Sequence, residues 1–276
     1  MSTAAINPKG PRVYPPGQSP AAWASTYLTS TVGQKLLVGL TGILLVGFLV
    51  FHMAGNLKMF SGPEAMNEYA HFLKHALGVW LWVARGGLLL LFLAHLVLAV
   101  RLRLQAKAAR PVGYRVMRSA QATLQAKTML WTGVVILLFT AYHLLHYTFG
   151  LVHPAAVNAP PDDYLTQRVN EQLAARNLAA GSAVNYLDLR DDDGRHDVYA
   201  MVLAGFRTPY ISAIYLVSQL LLFVHLSHGI QASLQTLGLV GKRFTPLAKL
   251  AGWATAGVIF AGNVAIVAAV WAGYVR

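Results

Sequence analysis

Five long apolar stretches constrain this 276-residue chain more than any other feature. They cover 34–60, 78–100, 129–151, 208–235 and 247–274. Each reaches the ~20 residues a helix needs to cross the hydrocarbon core of a bilayer. Strands of a membrane barrel would be about half as long and would alternate apolar with polar residues, which these do not. Charge is scarce to match: 12% of residues are charged, against about 25% in a soluble domain. The expected fold class is an all-α membrane protein, a bundle of five transmembrane helices within 34–276 that follows an N-terminal tail, 1–33. The tail carries Pro11, Pro15, Pro16 and Pro20 but no apolar h-region, so it does not read as a secretory signal. It is expected to be mobile and to order only against a partner.

Charge sets the expected orientation. All ten acidic residues fall in two connections: Glu64 and Glu68 between the first and second spans, the other eight from Asp162 to Asp197 between the third and fourth. The opposite side has none. It carries Lys9, Arg12 and Lys35, then Arg101, Arg103, Lys107, Arg110, Arg115, Arg118 and Lys127, then Lys242, Arg243 and Lys249. Cytoplasmic loops hold the Lys/Arg excess, so this basic side is expected inside, with the N-terminus cytoplasmic and the C-terminus outside. The formal charge of +12 is mostly this asymmetry. It suits anionic lipid headgroups or an acidic partner face rather than nucleic acid.

The outer connection, 152–199, is too long for a simple link. Pro160-Pro161-Asp162 reads as a helix start, Leu165, Val169 and Leu173 recur at i+4, and Gly181 reads as the stop, so a short amphipathic helix is expected on the outer surface. The run from Asp188 to Gly194 lacks the ligand spacing of a calcium loop and reads as a solvated turn. In the fifth span, Gly257, Ala261, Ala265 and Ala269 form a small-residue stripe for close helix packing.

The chain has no cysteine, which excludes thiolate iron–sulfur ligation, cysteine zinc sites, disulfides and covalent c-type haem. A metal centre here must use histidine, carboxylate or non-covalent haem. Six of the ten histidines fall within the spans: His52, His95, His143, His146, His225 and His228. Polar groups at such depth normally face the bundle interior and mark function. At ~1.5 Å per residue, His52 and His143 reach similar depths towards the outer face, and His95 and His225 lie together towards the inner face, about 15 Å away. Two facing imidazoles can hold a haem iron from both sides, which suits electron transfer. The expectation is two b-type haems enclosed by the bundle, the outer on His52 and His143, the inner on His95 and His225. His146 and His228, three residues on, are either alternative ligands or groups beside a propionate or quinone. Arg85 and Arg207, at outer helix ends, are candidates for outer propionates.

These residues resemble a family. Ser30 to Lys35 (Ser-Thr-Val-Gly-Gln-Lys) leading into Gly47 to Asn56 (Gly-Phe-Leu-Val-Phe-His-Met-Ala-Gly-Asn) is similar to the first helix of the cytochrome b anchor of succinate dehydrogenase, in the five-helix, dihaem type shared with bacterial fumarate reductases. Glu68-Tyr-Ala-His71-Phe-Leu, Phe92-Leu-Ala-His95, Thr140-Ala-Tyr-His143, Asp197-Val-Tyr-Ala-Met-Val, Val224-His225-Leu-Ser-His228-Gly and Gln235-Thr-Leu-Gly238 resemble later positions. The likeness runs from Ser30 to the end, and is poor in the leader and over 154–195. It implies ligand pairs between the first and third and between the second and fourth spans. It further implies a flavoprotein and an iron–sulfur subunit docked on the cytoplasmic face of a bacterial inner membrane, with menaquinone as electron acceptor. The intramembrane glutamate that certain fumarate reductases use is absent, which favours succinate oxidation. Quinone candidates are Ser30, Lys35 and Trp131 near the inner face, or Arg85, His146 and Arg207 near the outer. The alternatives are a fumarate reductase anchor and a cytochrome b anchor of a hydrogenase or formate dehydrogenase. A proton-coupled transporter would call for internal repeats and helices broken at midplane, and neither is read here.

Overall fold

A computed structural model of the chain describes residues 19–110, 124–152, 154–155, 163–179, 181–182 and 184–275. The basic residues Lys9, Arg12, Arg115 and Arg118, together with His153 and Pro160-Pro161-Asp162, lie outside the described residues. Helices dominate. In chain order they are α1 (Pro20–Thr29), α2 (Thr31–Asn56), α3 (Pro63–His75), α4 (Val79–Ala108), α5 (Leu124–His143), α6 (Tyr164–Ala175), α7 (Val198–Arg207), α8 (Pro209–Thr236) and α9 (Thr245–Trp271). Five of them, α2, α4, α5, α8 and α9, are long and apolar enough to cross a membrane, as their sequences predict. The central pair is α2 and α8: α4 packs on α2, α5 on α8, and α9 on both. Their outward faces carry exposed Leu, Val, Phe and Trp side chains, and α4 has no buried residue.

Within the tail, 20–29 forms a helix rather than mobile chain. The Ser19 hydroxyl caps its start, Pro20 sits in the first turn, and α1 packs against α2. Ser30 separates the two helices: its hydroxyl donates to the Tyr27 carbonyl at 2.6 Å and accepts from the Gly33 amide at 3.1 Å. This capping accounts for Ser30 locally.

At the end that carries the acidic residues, α3, α6 and α7 close into a cap with its own core. Met66, Leu165, Val169, Leu173, Tyr199, Leu203 and Phe206 are buried there against Tyr215 of α8 and Val270 of α9. Each such aliphatic side chain contributes about 1.5–3 kcal/mol. The amphipathic helix of the outer loop is α6, but its apolar face is turned into this cap rather than laid on a membrane surface. It ends before Gly181: Asn177 takes a left-handed φ of 54°, and the Leu178 amide returns to the Leu173 carbonyl at 2.9 Å. The run from Asp188 to Gly194 is a turn whose carboxylates serve arginines, Asp188 with Arg176, Asp191 with Arg195 and Asp192 with Arg168.

The structure corrects the small-residue stripe of α9 at three of its four positions; Ala269 is buried in the cap core. Ala261 and Ala265 are exposed, and a Cβ on Gly257 would meet nothing within 4 Å. The row that packs is Ala248, Gly252 and Ala256, with Gly252 against the Ser227 carbonyl and Gly262 against Met53. An alanine-rich helix carries more than one i+4 row of small residues, and spacing alone does not choose between them.

His196 gives the cap a pH dependence. It is half-buried, bridged to Arg190, with Nδ1 3.4 Å from the Leu189 carbonyl. Burial, then the charge of Lys74, holds its pKa down to about 4, with Arg190 acting the same way and the Leu189 carbonyl and Asp197 opposing. A depressed folded pKa means the unfolded cap binds the proton first as pH falls. The contribution of His196 is complete above about pH 6.5 and is lost towards pH 4. Between pH 7 and pH 5 the protection of α3 and α7 amides, taken relative to intrinsic exchange at each pH, should fall in the wild type and stay flat in His196→Gln. An unchanged slope in the variant places the titration elsewhere.

Candidate functional site

The helices bring the four expected histidines together at two levels. Near the acidic end, His52 of α2 and His143 of α5 meet with ring centroids 5.8 Å apart and planes at 88°. Phe48 lies along His52 at 5.4 Å, and Phe139 beside His143 at 6.0 Å. Deeper in the bundle, His95 of α4 and His225 of α8 each sit sixteen residues past the first residue of their helix, within electrostatic reach of one another.

Each deep histidine is held by a threonine of a neighbouring helix. His95 Nδ1 is 3.1 Å from the Thr41 hydroxyl of α2, and His225 Nδ1 is 3.0 Å from the Thr132 hydroxyl of α5. Both threonines spend their own hydrogen on helix carbonyls one turn back, Thr41 on Leu37 at 2.7 Å and Thr132 on Met129 at 3.1 Å. The hydroxyl oxygen is then left as the acceptor, so Nδ1 carries the proton and Nε2 presents a lone pair. This is the tautomer that metal ligation through Nε2 requires, and an N–H donated away from the metal is its usual support. These contacts also fix the spacing of the levels. Thr41 stands eleven residues before His52, and Thr132 eleven before His143, which is about 16 Å of helix.

Spacing along the two helices shows a signal that sequence reading missed. Thr41, Gly42, Phe48 and His52 of α2 recur as Thr132, Gly133, Phe139 and His143 of α5, four identities in twelve positions. The glycines repeat a role as well: a Cβ on Gly42 would lie 3.2 Å from His95 Cε1, and one on Gly133 3.7 Å from His225 Cε1. The chain therefore contains a repeat of two helix pairs, α2 with α4 and α5 with α8, against the reading that it has none. One of the two grounds set against a transporter falls with it. The other stands: the five spans run unbroken through their middles, and their irregular turns among the described residues, 3-10 over Leu57–Ser61 and π-helical over Leu144–Thr148, are at the acidic end.

The π-helical turn places His146 differently from His143. His146 is fully buried, stacked on Tyr147 at 4.0 Å, and its Nδ1 lies 3.1 Å from the Tyr215 hydroxyl. His143 Nδ1 lies 3.1 Å from the same hydroxyl. A phenol has one hydrogen to give, so at most one imidazole accepts from Tyr215 and at least one donates to it. With His143 as donor, its Nε2 is free towards His52, and His146 takes the phenol hydrogen. His146 thus stands behind His143 and not across from His52. His228 is half-buried and makes no hydrogen bond with a described residue.

The remaining candidates are scattered. Arg207 is engaged by Asp163, which accepts from both its terminal nitrogens and also caps α6. Arg85 is exposed, 4.9 Å over the Trp82 ring. Lys35 and Trp131 are exposed on α2 and α5. Next to Lys35, Gln34 is buried, with Nε2 on the Thr29 carbonyl at 2.7 Å and Oε1 unpartnered. Among the described residues no three His, Asp or Glu side chains converge as a bare metal ion would need; the histidines come in pairs. Comparison of the chain with family models, curated proteins and solved structures finds no match.

Proposed function

We propose that this protein is the dihaem cytochrome b anchor of a succinate:quinone oxidoreductase in a bacterial cytoplasmic membrane. The observation that carries the reading is the pair of histidine levels, with the Nδ1 of His95, His225 and His143 each held by a hydroxyl. Haem fits that chemistry. The 5.8 Å between the His52 and His143 rings would let both imidazoles reach one iron at metal–nitrogen bonds of ~2 Å. His52 and His143 would hold one b-type haem, His95 and His225 the other. Bound there, the two haems supply one-electron carriers between an iron–sulfur subunit on the basic side and menaquinone. The chain itself binds, orients and excludes water. Thr41 and Thr132 keep the deep imidazoles in the ligating tautomer, Tyr215 does so for His143, and Gly42 and Gly133 leave room at the imidazole edge.

The basic end is assigned to the cytoplasm by its Lys/Arg excess. A flavoprotein and an iron–sulfur subunit would dock there, and succinate is oxidised on the former. The test is a dithionite-reduced minus oxidised absorbance spectrum of the purified full chain. The expected result is b-type bands with two haems per chain. A protein that binds no haem under conditions that supply it overturns the reading and returns the histidines to a proton-relay role.

A further inference from the structure

The acidic end holds an open cavity of about 340 Å³ between α3 and the turn at 190–196. Its wall is cationic. His71, Lys74 and His75 of α3 face Arg190, Arg195 and His196. The acid in this lining, Asp193, lies 3.0 Å from Arg195, which also binds Glu64 and Asp191. Neither Lys74 nor Arg190 forms an ion pair among the described residues; Arg190 donates to the carbonyls of Leu187 and Leu189 at 2.7 and 2.9 Å. Burial, then the charge of Arg85 and Arg190, holds the Lys74 pKa below the usual lysine range. His71 and His75 stack at 4.0 Å. Basic residues in the last turn of α3 complement the helix dipole, which accounts for Lys74 and His75. It does not account for Arg190 on the facing wall. Arg195 has its acids, but Lys74 and Arg190 face each other without one, and that repulsion costs free energy that an anion would relieve.

We propose that this cavity binds a phosphate-bearing anion, either the headgroup of an anionic lipid or free phosphate. Phosphate oxygens accept from several cations at once. The bilayer surface supplies phosphate at this level, where Arg85 lies over the exposed Trp82 in the first turns of α4. The site is separate from the paired histidines and does not rest on the haem reading.

Thermal stability of the full chain tests it in two arms. One titrates inorganic phosphate in detergent against chloride at equal ionic strength. The other compares phosphatidylcholine vesicles with and without phosphatidylglycerol. A rise in Tm with inorganic phosphate makes free phosphate sufficient; a rise with phosphatidylglycerol alone makes the ligand a lipid. In either case Lys74→Gln with Arg190→Gln should weaken the response about tenfold or more. Lys58→Gln, exposed at the same end but outside this lining, should keep it. Lys74→Gln alone removes no described hydrogen bond and carries the test if the turn does not tolerate loss of Arg190. No rise in either arm, or a double variant that responds as the wild type does, overturns the proposal.

Discussion

Replacing His52 or His143 with alanine is expected to remove one and the same haem, while His95→Ala and His225→Ala remove the other. A methyl group cannot replace an imidazole as an iron ligand, so the loss at the affected level should be complete rather than graded. The two levels share no side chain. Eleven residues of α2 and of α5 separate them, about 16 Å, so the untouched level should keep its low-spin EPR signal. His146→Ala should keep both signals, because His146 stands behind His143 on Tyr215. Thr41→Val and Thr132→Val sharpen the experiment. Each removes the acceptor that fixes Nδ1–H and leaves the ligand in place. Retention of the deep haem should weaken about tenfold to a hundredfold, with a shifted potential and no effect on the other level. Haem per protein and EPR across the series decide the matter. If His143→Ala keeps both signals and His146→Ala loses one, the pairing near the acidic end is wrong by one turn. If Thr41→Val disturbs the level of His52, the register drawn from the hydrogen bonds is wrong.

The spans and the two histidine levels were legible because a transmembrane helix leaves little freedom. Its length is set by the bilayer and its rise by the backbone, so residue counting gave the relative depth of His52, His95, His143 and His225 before any contact was known. What surrounds them was not legible. A threonine inside an apolar helix commonly bonds back to its own turn, so Thr41 and Thr132 look ordinary until the neighbouring helix shows what their oxygens accept. The repeat that links them keeps four positions in twelve and is broken by connections of different length. The cap was only partly legible. Spacing found α6, but α3 and α7 are short, lie beside longer apolar runs, and are stabilised by contacts across more than a hundred residues of sequence, such as Asn67 with Asp197. Arg207 illustrates the converse: its position suggested a propionate partner, and the fold pairs it with Asp163. Burial would raise the Asp163 carboxyl, but the hydrogen bonds and charge of Arg207 and the amides of α6 outweigh it and hold it below the ordinary range.

Asp197→Ala is expected to open the cap. The Asp197 side chain is fully buried and joins three helices. It accepts from Asn67 of α3 at 3.0 Å, from the Tyr164 hydroxyl of α6 at 2.7 Å, and from the Ala200 amide at the start of α7 at 2.9 Å. Arg168 stands 3.8 Å away, itself held by Asp192 and Glu171. Asn67 completes the loop by accepting from the Tyr199 amide at 3.1 Å. Alanine would leave an amide, a phenol and a helix N-terminus without their acceptor in a dry core, beside a guanidinium with less compensating charge. Removing one partner from a buried charged network costs about 3–5 kcal/mol, while the cap's apolar side chains remain to resist it. Asp197→Asn keeps the shape and one acceptor oxygen, so its cost should be smaller. The expected signature is local. Hydrogen exchange should rise in α3, α6 and α7, and protease should cut the cap of the alanine variant at temperatures the wild type withstands. Amides of α2 and α8 around Thr41 and His225 should stay protected, since their packing lies below the cap and uses none of these bonds. Unchanged exchange in α3 would mean that apolar burial alone holds it to α7 and that the network contributes little. Exchange rising equally through α2 and α8 would mean that cap and bundle unfold as one unit.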